Sequence, residues 1–217
     1  MFKVNVIITT CNWFDNIWNI VNWLDKHKDN FQQVLIVDNS TDDKSREILE
    51  DLSKVSFIKV IKNPVVRNLR NSLYLAATQL QNDLPILTIE SDAIPDIRVF
   101  EKLFHYYLKF NEKERIASIG PFYQNNGIDC YPVHKHWYAD KVIYSSEDEI
   151  RDCGGAGNPF LFSLWNQSAF SEIANLTKNF IGVDTELSKI TFELGFKHLR
   201  LSNMRITHLN GGKNSHG

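Results

Sequence analysis

Three acids crowd the ten-residue stretch LTIESDAIPD, residues 87–96. Glu90, Asp92 and Asp96 follow an apolar run, where a buried strand should be surfacing. Carboxylates held this close repel and raise one another's pKa. Such crowding is tolerated where water solvates it and useful where a cation neutralises it. Polar side chains also end the other apolar runs: Thr9, Thr10 and Asn12 after VNVII, Asp38 and Asn39 after VLIV, and Asn63 after FIKVIK. Each alone reads plainly as a turn or cap residue. Together they matter more, because open parallel sheets bind ligands outside the carboxyl ends of their strands.

The elements that would hold these residues follow from hydrophobic spacing. KVNVIITT reads as a buried strand, and Phe14, Ile17, Trp18, Val21 and Leu24 then recur at helical spacing. QVLIVDN is a second strand, followed by the helix STDDKSREILEDLSK with Ile48, Leu49 and Leu52 turned inward. SFIKVIKN is a third strand, and Leu69, Leu73, Ala76, Ala77 and Leu80 mark the next helix. LPILTIES is a fourth strand, followed by a helix carrying Ile97, Phe100, Leu103, Phe104 and Tyr107. Strand–helix alternation predicts an α/β fold with a mostly parallel central sheet flanked by helices. Past about residue 115 the pattern loosens. RIASIG and FLFSLW read as strands, and NQSAFSEIANLTK as a helix with Asn166 or Ser168 at its cap. DTELSKITFELGF reads as a further helix, and HLRLS and MRITHL as two short closing strands. The expectation is one domain over 1–217, with a nucleotide-type half at 1–115 and a more irregular half at 116–217.

Composition excludes several classes. The chain has 217 residues, enough for a sizeable core, and a net charge of -2, so no basic field exists to hold nucleic acid. No apolar run approaches the roughly 18 residues of a membrane helix. MFKVNVIITTCNW has no clear signal-peptide pattern, and a cytoplasmic protein is expected. Cys11, Cys130 and Cys153 are odd in number and lack CxxC spacing, which predicts buried free thiols rather than a disulfide or zinc framework.

The sheet lacks the usual phosphate-binding loops. No G-x-G-x-x-G follows the first strand and no G-x-x-x-x-G-K-[ST] occurs; CGGAGNP lies late and precedes a strand. A diphosphate on such a sheet needs another counter-charge, and a divalent cation on acidic ligands supplies one. That assigns a role to ESD, while Asp96, after Pro95, reads as the cap of the following helix.

In this context VNVIITTCNW resembles the opening strand and nucleotide loop of family 2-type glycosyltransferases of GT-A fold. VLIVDNSTDD resembles their second strand, ending in an Asp that touches base or ribose. VIKNPVVRNLRNSLYLAA is similar to the segment where an Arg-Asn pair, here Arg70 and Asn71, opens a helix beneath the nucleotide. LPILTIESDAIP resembles the strand bearing the family's acidic metal motif, and FIGVDTELSKITFELGFKHLRLSNMRITHLNG the segment with an acidic catalytic motif, a helix ending in Gly and a closing metal-binding His. The five motifs run in order from residue 3 to about 211. Two depart from the usual pattern. The metal motif is Glu90-Ser91-Asp92 rather than Asp-x-Asp, which leaves open which carboxylate ligates directly, and Val183 stands before Asp184 where a Glu is usual.

The resemblance implies a hexosyltransferase-type enzyme moving a sugar from a nucleotide diphosphate donor, UDP-sugar first, to a hydroxyl of a glycan acceptor. It implies that Thr9, Asp38, Arg70 and Ser91 seat the nucleotide sugar, and that Glu90, Asp92 and His208 hold Mn²⁺ or Mg²⁺. It assigns Asp184 as the general base of a single inverting displacement. Plainer readings stand beside these: Arg70 as a surface helix charge, His208 as a structural histidine, and Asp184 and Glu186 as helix-start caps. His134 and His136 in PVHKHWY read as a solvated loop. Its Tyr131, Trp137 and Tyr138 fit either a sugar-stacking platform or a flap. Two other classes compete. A sugar-nucleotide-forming nucleotidyltransferase would need a basic Gly-rich loop that TTCNWFDNIW lacks, and a non-catalytic carbohydrate-binding domain would have no use for Asp184.

Overall fold

A computed structural model describes residues 3–12, 15–40, 43–63, 69–111, 114–125, 128–130, 141–144, 148–152, 160–177 and 190–209. Its elements run β1 (Val4–Thr10), α1 (Ile17–Lys26), β2 (Phe31–Asp38), α2 (Asp43–Ser53), β3 (Ile58–Lys62), α3 (Leu69–Gln79), β4 (Ile86–Glu90), β5 (Ala93–Ile94), α4 (Ile97–Asn111), β6 (Ile116–Asn125), β7 (Ile128–Cys130), β8 (Lys141–Tyr144), β9 (Ile150–Asp152), β10 (Phe162–Trp165), α5 (Gln167–Thr177) and β11 (Lys197–His208). The predicted α/β architecture is present. The chain divides into two compact units, one of Met1–Ser91 with Trp165–Ile181 and the other of Asp92–Leu164 with Gly182–Gly217.

In the first unit the strands lie in the order β3-β2-β1-β4, all parallel. β1 is buried along its whole length, as its β-branched VNVIITT run dictates for a central parallel strand. The one amide in that run, Asn5, is fully buried and donates to Asn82 Oδ1 at 2.9 Å, so its burial is compensated. α1 buries Ile17, Ile20, Val21 and Leu24 at i, i+3, i+4, i+7; of the face read from the sequence, Ile17, Val21 and Leu24 are buried, whereas Trp18 is exposed and Ile20 lies inward instead. Trp165 is buried edge-on against Phe170, and its indole N–H donates to Thr88 Oγ1 at 3.2 Å. Asn166 caps α5 as predicted, its Oδ1 accepting from Ala169 N–H at 3.1 Å.

In the second unit the order is β10-β6-β11-β9-β8, with β5 on β11 and β7 on β6. β6 and β11 are parallel, and β5, β7, β8 and β9 add antiparallel pairs. α4 covers this sheet with Val99, Phe100, Leu103, Phe104, Tyr106, Tyr107 and Phe110 buried. Each large side chain removed from water contributes roughly 2 kcal/mol, so this aromatic stripe is a main anchor of the unit. Asp96 is the predicted cap of α4: its Oδ1 accepts from Arg98 N–H at 2.8 Å. The hydrogen bond from the Arg98 guanidinium holds its carboxyl below the ordinary carboxylate value.

Two expectations are corrected. The closing segment is one strand, β11, rather than two, continuing through Ser202–Met204 with a register shift between Leu201 and Arg205. Cys11, expected buried, is exposed and in no disulfide. Its position just past the end of β1, in the loop, explains this. The side chain of Cys130 and all of Cys153 lie outside the described residues. Among the described residues no helix is long and apolar enough to cross a membrane.

Candidate active site

The strand ends of the first unit converge as the parallel topology requires. Thr10 pairs in register with Asp38, and Thr9 with Glu90, so the ends of β2, β1 and β4 present their polar residues in one row. Thr9 and Thr10 are nearly buried, and Asp38 is only 2 % exposed. Asp38 Oδ1 accepts from Ser40 N–H at 2.8 Å and from the Thr10 hydroxyl at 3.4 Å. The loops after β1 and β2 are braced against each other. Asn39 N–H donates to Thr10 O at 2.9 Å, and Asn12 N–H donates to Ser40 Oγ at 2.9 Å. Asn12 has φ of 52°, a left-handed conformation that Asn tolerates better than most residues.

Behind this row lies a network that sequence reading missed. Asn63, at the end of β3, donates through Nδ2 to Asn39 Oδ1 at 2.6 Å and to Ser72 Oγ at 3.0 Å. The Ser72 hydroxyl donates to Asn39 Oδ1 at 2.6 Å, and Asn71 Nδ2 donates to Asn63 Oδ1 at 2.6 Å. Thus the first turn of α3 is tied to the ends of β2 and β3. The available signal was the Asn at two successive strand ends; the pairing itself is long-range. Arg70 lies in that same first turn, and its side chain is outside the described residues.

The acids of ESD fall where β4 ends. In the second unit Asp92 precedes β5, whose Ala93 pairs with His208 and whose Ile94 pairs with Thr207 of β11. Leu209 N–H donates to Asp92 O at 2.9 Å. This short antiparallel clamp fixes the imidazole beside the carboxylate: His208 Nε2 and Asp92 Oδ2 are 2.8 Å apart. The Tyr123 ring meets His208 edge-on, with centroids 6.0 Å apart, another neighbour that sequence reading missed. The Asp92 and His208 side chains keep 23 % and 14 % of their surface exposed. Glu90, two residues before Asp92, joins them. Glu90, Asp92 and His208 each offer one ligand atom, and these atoms all lie within 4.8 Å of one another. Two hard carboxylate oxygens and one imidazole nitrogen, partly open to solvent, fit a divalent cation such as Mn²⁺ or Mg²⁺. Ser91, between the two acids, is buried. Asp184, Glu186 and the aromatic loop with Tyr131, His134, His136, Trp137 and Tyr138 lie outside the described residues.

A second polar cluster lies inside the second unit, away from the strand ends. His198 is fully buried, 2.7 Å from Ser118 Oγ through Nδ1, and burial followed by the Arg200 charge pushes its pKa down to about 3. Arg200 is itself buried, and its Nη1 donates to Ser163 Oγ at 3.0 Å. Gly120 allows this approach, because a Cβ there would collide with the Arg200 guanidinium and the Ser163 hydroxyl. Asp148 is a third such group, accepting from Lys102 at 2.7 Å, the Tyr106 hydroxyl at 2.9 Å and Asn203 at 2.6 Å. Burial alone would raise its pKa, but these partners hold the carboxyl below the ordinary value.

Known proteins resemble this chain in sequence family and in fold. Residues 5–173 match the family described as Glycosyl transferase family 2. Among solved structures, GalNAc-T7, crystallised with UDP, GalNAc and Mn²⁺, superposes with a TM-score of 0.69 at 14% identity, covering 97% of this chain and 43% of that one. TarS 1-349 of S. aureus superposes with a TM-score of 0.65 at 14% identity, over 96% of this chain and 60% of that one. A mycobacterial protein gives 0.60 at 16% identity, over 98% and 69%. This chain therefore spans less than two thirds of the GalNAc-T7 and TarS 1-349 chains. A search of curated proteins by sequence gives no match. These structural likenesses show the GT-A fold. With the family match covering more than three quarters of the sequence, the chain belongs to glycosyl transferase family 2.

Proposed function

We propose that this glycosyltransferase is a metal-dependent, inverting enzyme that moves a sugar from a nucleotide diphosphate donor, UDP-sugar first, to a hydroxyl of a glycan acceptor. The observation that carries the reading is the Glu90, Asp92 and His208 cluster at the end of the row formed by Asp38, Thr10 and Thr9. The likeness to GalNAc-T7, crystallised with UDP and Mn²⁺, supports the nucleotide and the metal.

In this reading residues 1–115 seat the donor and residues 116–217 serve the acceptor within one domain. Asp38 accepts a hydrogen bond from base or ribose, Thr9 and Ser91 line the seat, and Arg70 adds positive charge toward base or phosphate. Glu90, Asp92 and His208 hold Mn²⁺ or Mg²⁺. The bound ion supplies Lewis-acid neutralisation of the diphosphate that leaves. Asp184 takes the proton of the acceptor hydroxyl as its oxygen forms a bond to the anomeric carbon. The bond from that carbon to the diphosphate oxygen breaks, its electron pair leaves with the nucleotide, and the configuration inverts.

The test is calorimetric titration of UDP, GDP and dTDP, each with Mn²⁺ and with EDTA, on the wild type and Asp92→Ala. One nucleotide is expected to bind only with the metal and only to the wild type. Absence of metal-dependent binding to all three would overturn the reading. Binding without sugar transfer, unchanged by Asp184→Ala, would replace it with a carbohydrate-binding role.

A further inference from the structure

Asn39 sits at the carboxyl end of β2, next to Asp38, and is 4 % exposed. Its side-chain oxygen is fully committed. Oδ1 accepts from Asn63 Nδ2 and from the Ser72 hydroxyl, both at 2.6 Å. An amide oxygen has two lone pairs, so these two donors fill it. They also fix which way the amide faces. Turning Asn39 over would put its NH₂ against Asn63 Nδ2, itself directed by the bond from Asn71 to Asn63 Oδ1. The Asn39 NH₂ is therefore held pointing away from the network. Among the described residues it has no hydrogen-bond partner, and it keeps some contact with solvent at the strand end.

Asp38 is the complement. Its Oδ1 takes Ser40 N–H and the Thr10 hydroxyl, while Oδ2 has no partner among the described residues. Two consecutive, nearly buried residues thus keep one acceptor and one donor unspent at the end of a parallel sheet. Water can meet both in the free protein, and because the donor's direction is fixed by the network, it is pre-organised for a ligand acceptor at that point.

We propose that Asn39 is a second reader of the donor nucleoside. Its NH₂ donates to an acceptor atom of the base, and Asp38 accepts from a neighbouring N–H. The uracil imide, an N–H flanked by carbonyl oxygens, offers that pair. This inference rests on the nucleotide-sugar reading of the site and adds a specificity residue to it. Asn63, Ser72 and Asn71 act through Asn39 as positioning residues.

The experiment uses Asn39→Asp, which has nearly the same shape. It keeps an oxygen to accept from Asn63 and Ser72, replaces the outward donor by an acceptor, and adds a negative charge beside Asp38. UDP is titrated with Mn²⁺ by calorimetry, and uridine is followed by ligand-observed NMR. Uridine carries no phosphate, so simple repulsion of an anion does not touch it. Both ligands are expected to bind at least about tenfold more weakly to Asn39→Asp, with the protein still folded, at a lower melting temperature from the added charge, and with Mn²⁺ affinity near wild type. Asn39→Ser, too short to reach outward, is expected to show the same loss and serves if Asn39→Asp does not fold. Ser72→Ala, which removes one clamp and leaves the donor, is expected to lose no more than about threefold. Wild-type uridine affinity in either Asn39 variant overturns the proposal, even if UDP alone is weakened. If wild-type protein binds none of UDP, GDP and dTDP, the nucleotide reading fails first and this inference falls with it.

Discussion

The two compact units bury polar groups in different ways. At the strand ends of the first unit, the buried polar groups among the described residues are mostly neutral: Asn39, Asn63, Ser72, Thr9 and Thr10 beside the carboxylate of Asp38. They satisfy one another and leave selected donors and acceptors directed outward. Inside the second unit the described buried polar groups include three ionisable ones, His198, Arg200 and Asp148, beside Ser118, Ser163 and Thr191. Their partners tie α4, β6, β10 and β11 together. A neutral network can meet a ligand without changing charge, whereas an ionisable one makes stability depend on pH. The first arrangement suits recognition and the second suits holding a sheet together.

The largest expected effect separates site from scaffold. If the proposed site holds, Asp92→Ala should reduce metal-dependent nucleotide binding by on the order of 100-fold or more, because Asp92 is a proposed ligand rather than an outer partner. Its melting temperature should stay near wild type, since the carboxylate is partly exposed and its described side-chain partner is His208. A large fall in melting temperature with binding retained would invert the comparison. Next is Asp148→Ala, which removes the shared acceptor of Lys102, Tyr106 and Asn203. It should cost about 2–3 kcal/mol by chemical denaturation while the folded protein binds nucleotide normally. Gly120→Ala should act on the same unit, displacing the buried Arg200 and lowering the melting temperature by several degrees.

The pH dependence follows from His198. Its folded pKa is about 3 against an ordinary 6.5, so between these values the unfolded chain binds a proton that the folded one refuses. The stability contribution is full above 6.5 and is lost as pH falls toward 3, at about 1.4 kcal/mol per pH unit. Denaturation at pH 7 and 5 should therefore differ by about 2 kcal/mol, and His198→Gln should flatten that difference. A slope that survives the substitution would place the titrating group elsewhere. Asp148 acts in a lower window, its contribution intact above an ordinary carboxylate value near 3.8 and lost below it.

Legibility in the sequence follows the range of the interactions involved. β1 to β4 are legible because each apolar run is local and each is followed by a polar residue. Glu90 and Asp92 are legible because they are neighbours in the chain. His208 is 116 residues from Asp92, and only the family resemblance connects the two. The continuity of β11 through Ser202–Met204 depends on the strand's partners: Ser202 N–H donates to Glu149 O, and Asn203 reaches Asp148. His198 and Arg200 alternate with Leu199 and Leu201, a period-two pattern that reads as a solvent face, yet both are buried in this sheet. The bonds joining Asn39, Asn63 and Ser72 span nine to 33 residues. No local pattern specifies them.

The smallest expected effect returns to the acidic stretch itself. Asp96 belongs to the same ten residues as Glu90 and Asp92, but its oxygens are occupied by Arg98. A cap and a ligand should respond differently to the same chemical change. Asp96→Asn retains an oxygen for the Arg98 N–H and should leave both stability and metal-dependent binding near wild type. Asp96→Ala should cost about 1 kcal/mol of stability through the lost cap, again with nucleotide binding unchanged. Asp92→Asn keeps a similar shape but loses the charge, so its metal-dependent binding should fall steeply. If Asp96→Asn weakened Mn²⁺-dependent titrations as much as Asp92→Asn, the third acid would have to be counted with the cation. The division between a ligand pair and a helix cap, four residues apart, would then be wrong.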